Sequence, residues 1–281
     1  MRCPSCREPL DADELSCPSG HEIEIADGVL RLLEPSFAAR LDAFLDGFRR
    51  LRERDGRRIH DPSVFPRLPY AAELRHDPEW RTRGYDLQLI RRLVAARPTG
   101  TVLDIGAYNG WLSHRLALDG HRVTAVEYFV DEHDGIGAHR FYPTRWRAIQ
   151  MDVRDLSVLD ERFDLVVLNR CVQFAVEPPA MAAQAIERVA DGGLLVITGL
   201  EFFADPILRR RGVEALAERL RHNGIEPFVP IKGYLDRGDE RRFRSLGIQL
   251  RGYPQLRMRF ARLRSRLDRR RGRPCFGVWP G

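Results

Sequence analysis

The sequence predicts an α/β protein: a doubly wound, seven-stranded, mostly parallel sheet with a small cysteine-containing module at its N-terminus. Three observations carry this. From residue 102 onward, short apolar runs alternate with helical periods, the pattern of strands joined by crossover helices. The run VLDIGAYNG, Val102 to Gly110, joins a strand to a helix through a glycine-containing turn. At the start, a CxxC pair, Cys3 and Cys6, and a CxxxH pair, Cys17 and His21, are separated by ten residues.

The elements follow in order. Residues 1–35 form the first module. Three cysteines and one histidine in two pairs have the spacing of a zinc ribbon and complete a tetrahedral site with no place for water. The metal is therefore read as structural, and so few residues cannot bury a core without such a staple. Asp27 to Leu33 resembles the terminal strand of known short zinc-ribbon modules. Residues 36–77 are a helical linker. Phe37, Leu41, Phe44, Leu45, Phe48 and Leu51 recur at helical spacing, and HDPSVFPRLPY is a proline-rich connector. A helix from Pro78 to Ala96 opens the main domain, 78–281.

In that domain Val102–Ile105 is a first strand, and WLSHRLALDG is a helix. His121–Val126 is a second strand ending at the acid Glu127. Arg147–Met151 and then the apolar FDLVVLNR, Phe163–Arg170, are the third and fourth strands. Pro179–Val189 is a helix ended by Gly192-Gly193, and LLVIT is a fifth strand. Val213–His222 and Asp239–Leu246 are helices. Ile248–Tyr253 and Cys275–Trp279 close the sheet. Between them QLRMRFARLRSRLDRRRGR reads as an amphipathic helix on Leu256, Met258, Phe260, Leu263 and Leu267, followed by a polar loop.

The turn after the first strand discriminates among ligands. Asp104 would repel a pyrophosphate over the helix N-terminus, which disfavours dinucleotides. The same carboxylate suits a ligand carrying an ammonium group. Here the chain resembles the class I S-adenosylmethionine-dependent methyltransferases, on Asp104, Gly106 and Gly110, with Tyr108 standing where many members have glycine. The resemblance implies a cofactor site at Asp104, Gly106, Ala107, Gly110, Glu127, Tyr128, Asp152, Val153 and Asn169. In it Glu127 would take the ribose hydroxyls and Asp152 the adenine amino group. Gly106, Glu127, Asp152 and Asn169 would share one sheet edge, at the carboxyl ends of the strands. The first module also resembles two others: the short ribbon found free or fused to bacterial methyltransferases, and the zinc finger of the ribosomal RNA guanine-N1 methyltransferases.

The acceptor is less marked. Asn169, His133 and Glu201 are the candidate catalytic residues, none of them fixed as a base. NRCVQF replaces the Asn-Pro-Pro-Tyr type of motif that marks base or glutamine amino methylation. The formal net charge is +6. Lys232 is the only lysine, and arginines crowd between Arg241 and Arg273. The ribbon, by contrast, sets Arg2 and Arg7 against Glu8, Asp11, Asp13, Glu14, Glu22, Glu24 and Asp27, whereas an RNA-gripping module should be basic. A small-molecule, saccharide or lipid-linked acceptor is therefore expected. The alternatives are ribosomal RNA and a non-catalytic scaffold that binds the cofactor. No apolar run long enough to span a membrane and no secretory signal is seen, and the reduced cysteines suit a cytoplasmic location.

Overall fold

The computed structural model describes residues 1–11, 15–56 and 58–281; Asp13 and Glu14 of the acidic ribbon lie outside them. The chain forms two units, Met1–Phe163 and Asp164–Gly281.

The first unit begins with the hairpin β1, Glu24–Ala26, and β2, Val29–Leu32. Its turn is Asp27-Gly28, with φ of 52° and 80°. Two left-handed residues in a two-residue loop match the twist of the flanking strands, and Asp-Gly is the pair that tolerates them. The helix α1, Pro35–Arg54, follows. Glu34 caps it by accepting from the Ser36 and Phe37 N–H groups, and Pro35 opens it. Phe37, Leu41, Phe44 and Leu51 form its buried stripe. Helix α2 spans Pro78–Val94, capped by Asp77, and ends two residues short of the predicted Ala96. Then come β3, Thr101–Ile105; α3, Trp111–Leu118; β4, Arg122–Glu127; and β5, Arg147–Met151.

The strands of this unit lie in the order β1-β2-β5-β4-β3. β3, β4 and β5 are parallel. β2 joins β5 in parallel, Leu30 opposite Ile149, so the ribbon hairpin extends the same sheet. The proline-rich connector is no free spacer. Phe65 and Leu68 are fully buried, and Arg115 on α3 donates to the Leu68 carbonyl at 2.6 Å and the Pro66 carbonyl at 3.1 Å.

The second unit contains β6, Phe163–Asn169; α4, Pro178–Glu187; β7, Val189–Phe203; and α5, Ile207–His222. It continues with β8, Leu235–Asp236; α6, Arg237–Ser245; β9, Gln249–Arg251; α7, Leu256–Leu267; and β10, Arg273–Pro280. β10 runs antiparallel between β7 and β9, the expected closing pair. The seven expected strands are present; β2 is the strand expected over Asp27 to Leu33, and among the described residues β1 and β8 are additional. Gly192-Gly193 does not end a helix. Both glycines lie inside β7; β10 pairs with it from Leu194, opposite Pro280, and the Gly281 N–H bonds the Gly193 carbonyl. α5 also starts earlier than Val213, at Ile207.

Candidate functional site

Asp104, Glu127 and Asp152 stand at the carboxyl ends of β3, β4 and β5, three neighbouring strands. The turn between β3 and α3 is left-handed at Gly106, Tyr108 and Gly110, with φ of 68°, 56° and 76°. It is held down by the Gly106 and Ala107 N–H groups, which both bond the Val126 carbonyl, at 2.9 and 3.2 Å. Gly110 is needed twice over. It takes a conformation that penalises a side chain, and an added Cβ would lie 2.4 Å from the Trp146 ring. The glycine predicted to admit a ligand thus also admits an indole.

Asp104 is fully buried. Its Oδ2 accepts from the Ser113 hydroxyl at 2.7 Å, while its Oδ1 has no partner. The amide nitrogen of neighbouring Asn109 is buried and unpartnered as well. Burial pushes the Asp104 carboxyl up to about 6, against the pull of its bonds to Ser113. Glu127 is equally enclosed. Its Oε2 accepts the Tyr108 N–H at 2.7 Å, and its Oε1 accepts the Tyr128 N–H at 2.7 Å. Burial still raises it to about 7, with a smaller push from Asp104. Both carboxyls at this edge therefore keep their protons to higher pH than free ones do, and a cation or further donors would favour their ionised forms.

Asp152 is satisfied differently. Its Oδ1 accepts the Tyr128 hydroxyl at 2.7 Å, and the Arg154 guanidinium approaches its Oδ2 at 2.6 Å. Burial opposes its charge, but these bonds and that guanidinium hold it below the usual carboxylate range. The Arg154 N–H also bonds Oδ1, at 3.0 Å, so Asp152 closes its own turn. Val153, next to it, is buried. The Tyr128 ring is packed by Phe37 of α1, centroids 6.0 Å apart.

The loop after β4 holds an ionic network that sequence reading missed. The Tyr108 hydroxyl donates to Asp134 at 2.9 Å. Arg52 of α1 grips both oxygens of Asp134 at 3.1 Å. Arg58 bonds Asp131 at 2.6 Å and His133 Nδ1 at 3.2 Å. His133 is thus a partner of a guanidinium, with its Nδ1 lone pair engaged. Arg52 and Arg58 lie far from Asp131 and Asp134 in sequence, and no local signal pairs them. The network lines a cavity of about 490 Å³ together with the apolar Val29, Leu45, Phe48, Phe129 and Val130.

In the second unit, Asn169 ends β6, and its amide donates to the Thr198 hydroxyl at 2.6 Å. Glu201 lies inside β7, not past it. It is exposed, opposite Pro274, and 3.6 Å from the Arg209 guanidinium.

At the N-terminus the ligand atoms of Cys3, Cys6, Cys17 and His21 all lie within 4.8 Å of one another. Cys6 Sγ is 3.5 Å from Cys17 Sγ, and His21 Nδ1 is 3.3 Å from Cys17 Sγ and 3.6 Å from Cys3 Sγ. Around tetrahedral zinc, with bonds of about 2.0–2.3 Å, neighbouring donors are separated by roughly 3.5–3.8 Å. The geometry fits that ion. The ribbon arginines are spoken for: Arg2 bonds Asp160 at 2.7 Å, Arg7 pairs with Asp155, and Arg31 grips Asp42 at 3.0 Å.

Residues 78–234, more than half of the chain, match the methyltransferase-domain family. No curated protein matches significantly. Among solved structures, the N-methyltransferase NodS from Bradyrhizobium japonicum WM9 is 16% identical, with a TM-score of 0.44 over 73% of this chain and 98% of NodS. The plantazolicin methyltransferase BpumL is 12% identical, with a TM-score of 0.47 over 78% of this chain and 81% of BpumL. PH0226 from Pyrococcus horikoshii OT3 is 20% identical, with a TM-score of 0.37 over 58% of this chain. The chain spans 66% of PH0226's length. A glycine turn flanked by buried acids at the ends of parallel strands, together with the match over residues 78–234, places the chain in the methyltransferase-domain family, the S-adenosylmethionine-dependent enzymes its turn resembles.

Proposed function

We propose that the chain transfers a methyl group from S-adenosylmethionine to an oxygen or nitrogen of a small-molecule, saccharide or lipid-linked acceptor, and that its ribbon holds one structural zinc ion. The carrying observation is Asp104 Oδ1, a buried carboxylate oxygen with no partner beside a left-handed glycine turn. An ammonium group satisfies such an atom and restores its charge. Glu127 accepts short bonds from the Tyr108 and Tyr128 N–H groups and a longer one, at 3.4 Å on Oε1, from the Phe129 N–H. A carboxylate offers about four lone-pair sites, which leaves one for a ribose hydroxyl on Oε2 and a second on Oε1 if it displaces the long Phe129 bond. Asp152 Oδ2 faces only Arg154, so the adenine amino group would share it with a guanidinium.

When bound, the cofactor supplies an electrophilic methyl carbon on a sulfonium. The chain's part is alignment, which supplies much of the rate in such transfers. None of His133, Asn169 and Glu201 is arranged as a base, since each is held by a neighbour. The small-acceptor reading is supported by the ribbon, whose Arg2, Arg7 and Arg31 are committed to carboxylates. The cavity of about 490 Å³ is also the size of a small-molecule site.

The test compares S-adenosylhomocysteine with methylthioadenosine, which lacks the amino-acid end. Asp104→Asn should weaken the first about tenfold or more and leave the second unchanged. Equal weakening of both, or of neither, removes Asp104 from the ammonium site. Labelled methyl appearing at one nucleotide of ribosomal RNA would overturn the small-acceptor reading.

A further inference from the structure

The helix α7 is turned the wrong way for a core helix. It contributes no buried residue. Met258, Ala261, Arg262 and Ser265 are its half-buried positions, and it packs against β10. Leu256, Phe260, Leu263 and Leu267 point away from the body, from 53% exposed at Leu263 to 85% at Leu267. At about 100° per residue these four fall within an arc of about 60°. Arg257 and Arg264 flank the arc on one side, and Arg259 and Arg266 on the other. No acid lies between Gln255 and Leu267, and Arg269, Arg270 and Arg271 follow. A groove beside the helix is lined by Tyr253, Leu256, Phe260 and Leu263 with Arg259, Arg262 and Arg266.

We infer that α7 docks the protein on an anionic lipid surface, lying in the plane of the headgroups. An outward apolar stripe of this breadth needs a partner that removes it from water. The arginines on both flanks specify its charge. A bilayer offers hydrocarbon for the stripe and phosphate for the guanidiniums at the same depth, and long arginine side chains can reach up to the headgroups while their stems stay buried. RNA would engage the arginines and leave Phe260 and Leu267 in water. A second copy would cover the stripe but oppose arginine to arginine. The helix is too short and too charged to cross a membrane, and no described helix is long and apolar enough to do so. The inference does not depend on the identity of the acceptor.

The experiment is co-sedimentation of the full chain with vesicles of phosphatidylcholine alone or with roughly a third phosphatidylglycerol, in which each arginine near the surface adds to binding. Binding to the anionic vesicles and not the neutral ones is expected. Phe260→Ser with Leu263→Ser, which keeps every charge, should lower partitioning about tenfold or more. Arg257→Gln with Arg264→Gln, which keeps the stripe, should lower it and weaken its salt dependence. Unchanged S-adenosylhomocysteine binding would show that each variant is folded. Three results overturn the inference: no vesicle binding by the wild type, equal binding by the Ser variant, or a wild-type dimer that the Ser variant dissolves while neither binds vesicles. RNA binding at physiological salt that survives the Ser substitutions, without vesicle binding, overturns it equally.

Discussion

Glu127→Gln separates the charge of the buried acid from its shape. The folded state raises the Glu127 carboxyl from 4.5 to about 7, mainly through burial. Between those values the folded protein holds a proton that the unfolded chain has released. The stability this gives is fully present below pH 4.5 and is lost as pH rises through 7. At 1.36 kcal/mol per tenfold change in proton affinity, the loss is about 3 kcal/mol. Glutamine does not titrate and carries no such loss. It has a fixed cost instead. Both carboxylate oxygens accept backbone N–H groups, from Tyr108 and Tyr128, so the amide NH₂ must face one of these donors. An unmade buried bond of this kind costs about 1–3 kcal/mol at every pH. The variant should therefore be less stable than wild type at pH 5, and the difference should shift in the variant's favour by about 3 kcal/mol by pH 8, closing or reversing the gap. Asp104, raised to about 6, slopes the same way in both proteins. Urea unfolding at matched zinc across this range measures the difference. Two stability profiles running parallel from pH 5 to pH 8 would refute the reasoning.

Three further outcomes follow from the site. S-adenosylhomocysteine affinity should rise with pH across the same window, because its ammonium group selects ionised Asp104; calorimetry in buffers of different ionisation enthalpy should show proton release on binding, and none would contradict an acid–ammonium contact. Glu127→Ala should cost about 2–3 kcal/mol of that affinity by titration, and wild-type binding would take the ribose away from Glu127. Elemental analysis should find one zinc per chain, lost in Cys6→Ser together with the order of residues 1–21; a metal-free protein with an ordered ribbon would exclude the metal.

What the sequence disclosed had local causes. Proline at the first helical position opened α2, and the acid after each central strand stood where the β period ends; the strand expected over Asp27 to Leu33 starts only at Val29, because Asp27-Gly28 is the hairpin turn. The boundaries that moved answer to distant partners. β7 continues past the expected LLVIT to Phe203, and β10 pairs with it as far as Phe202. The connector is buried because Arg115 reaches back to the Pro66 and Leu68 carbonyls. His133 is an attractive base in isolation, and only the fold reveals Arg58 against it. The stripe on α7 was legible, but its direction was not: periodicity places apolar residues on one face without saying whether that face meets a core or the solvent.

The pairing of β2 with β5 gives the ribbon a second task. Without β2, the outer flank of β5 would present a row of bare N–H and C=O groups, the template on which sheets of different molecules add to one another. With it, the exposed margin becomes β1, three residues long, with Glu24 at its start and opposite Arg31. A short margin carrying charge is a poor template for further growth. Demetallation would then show itself first in light scattering, as molecules joining edge to edge while their catalytic strands remain folded.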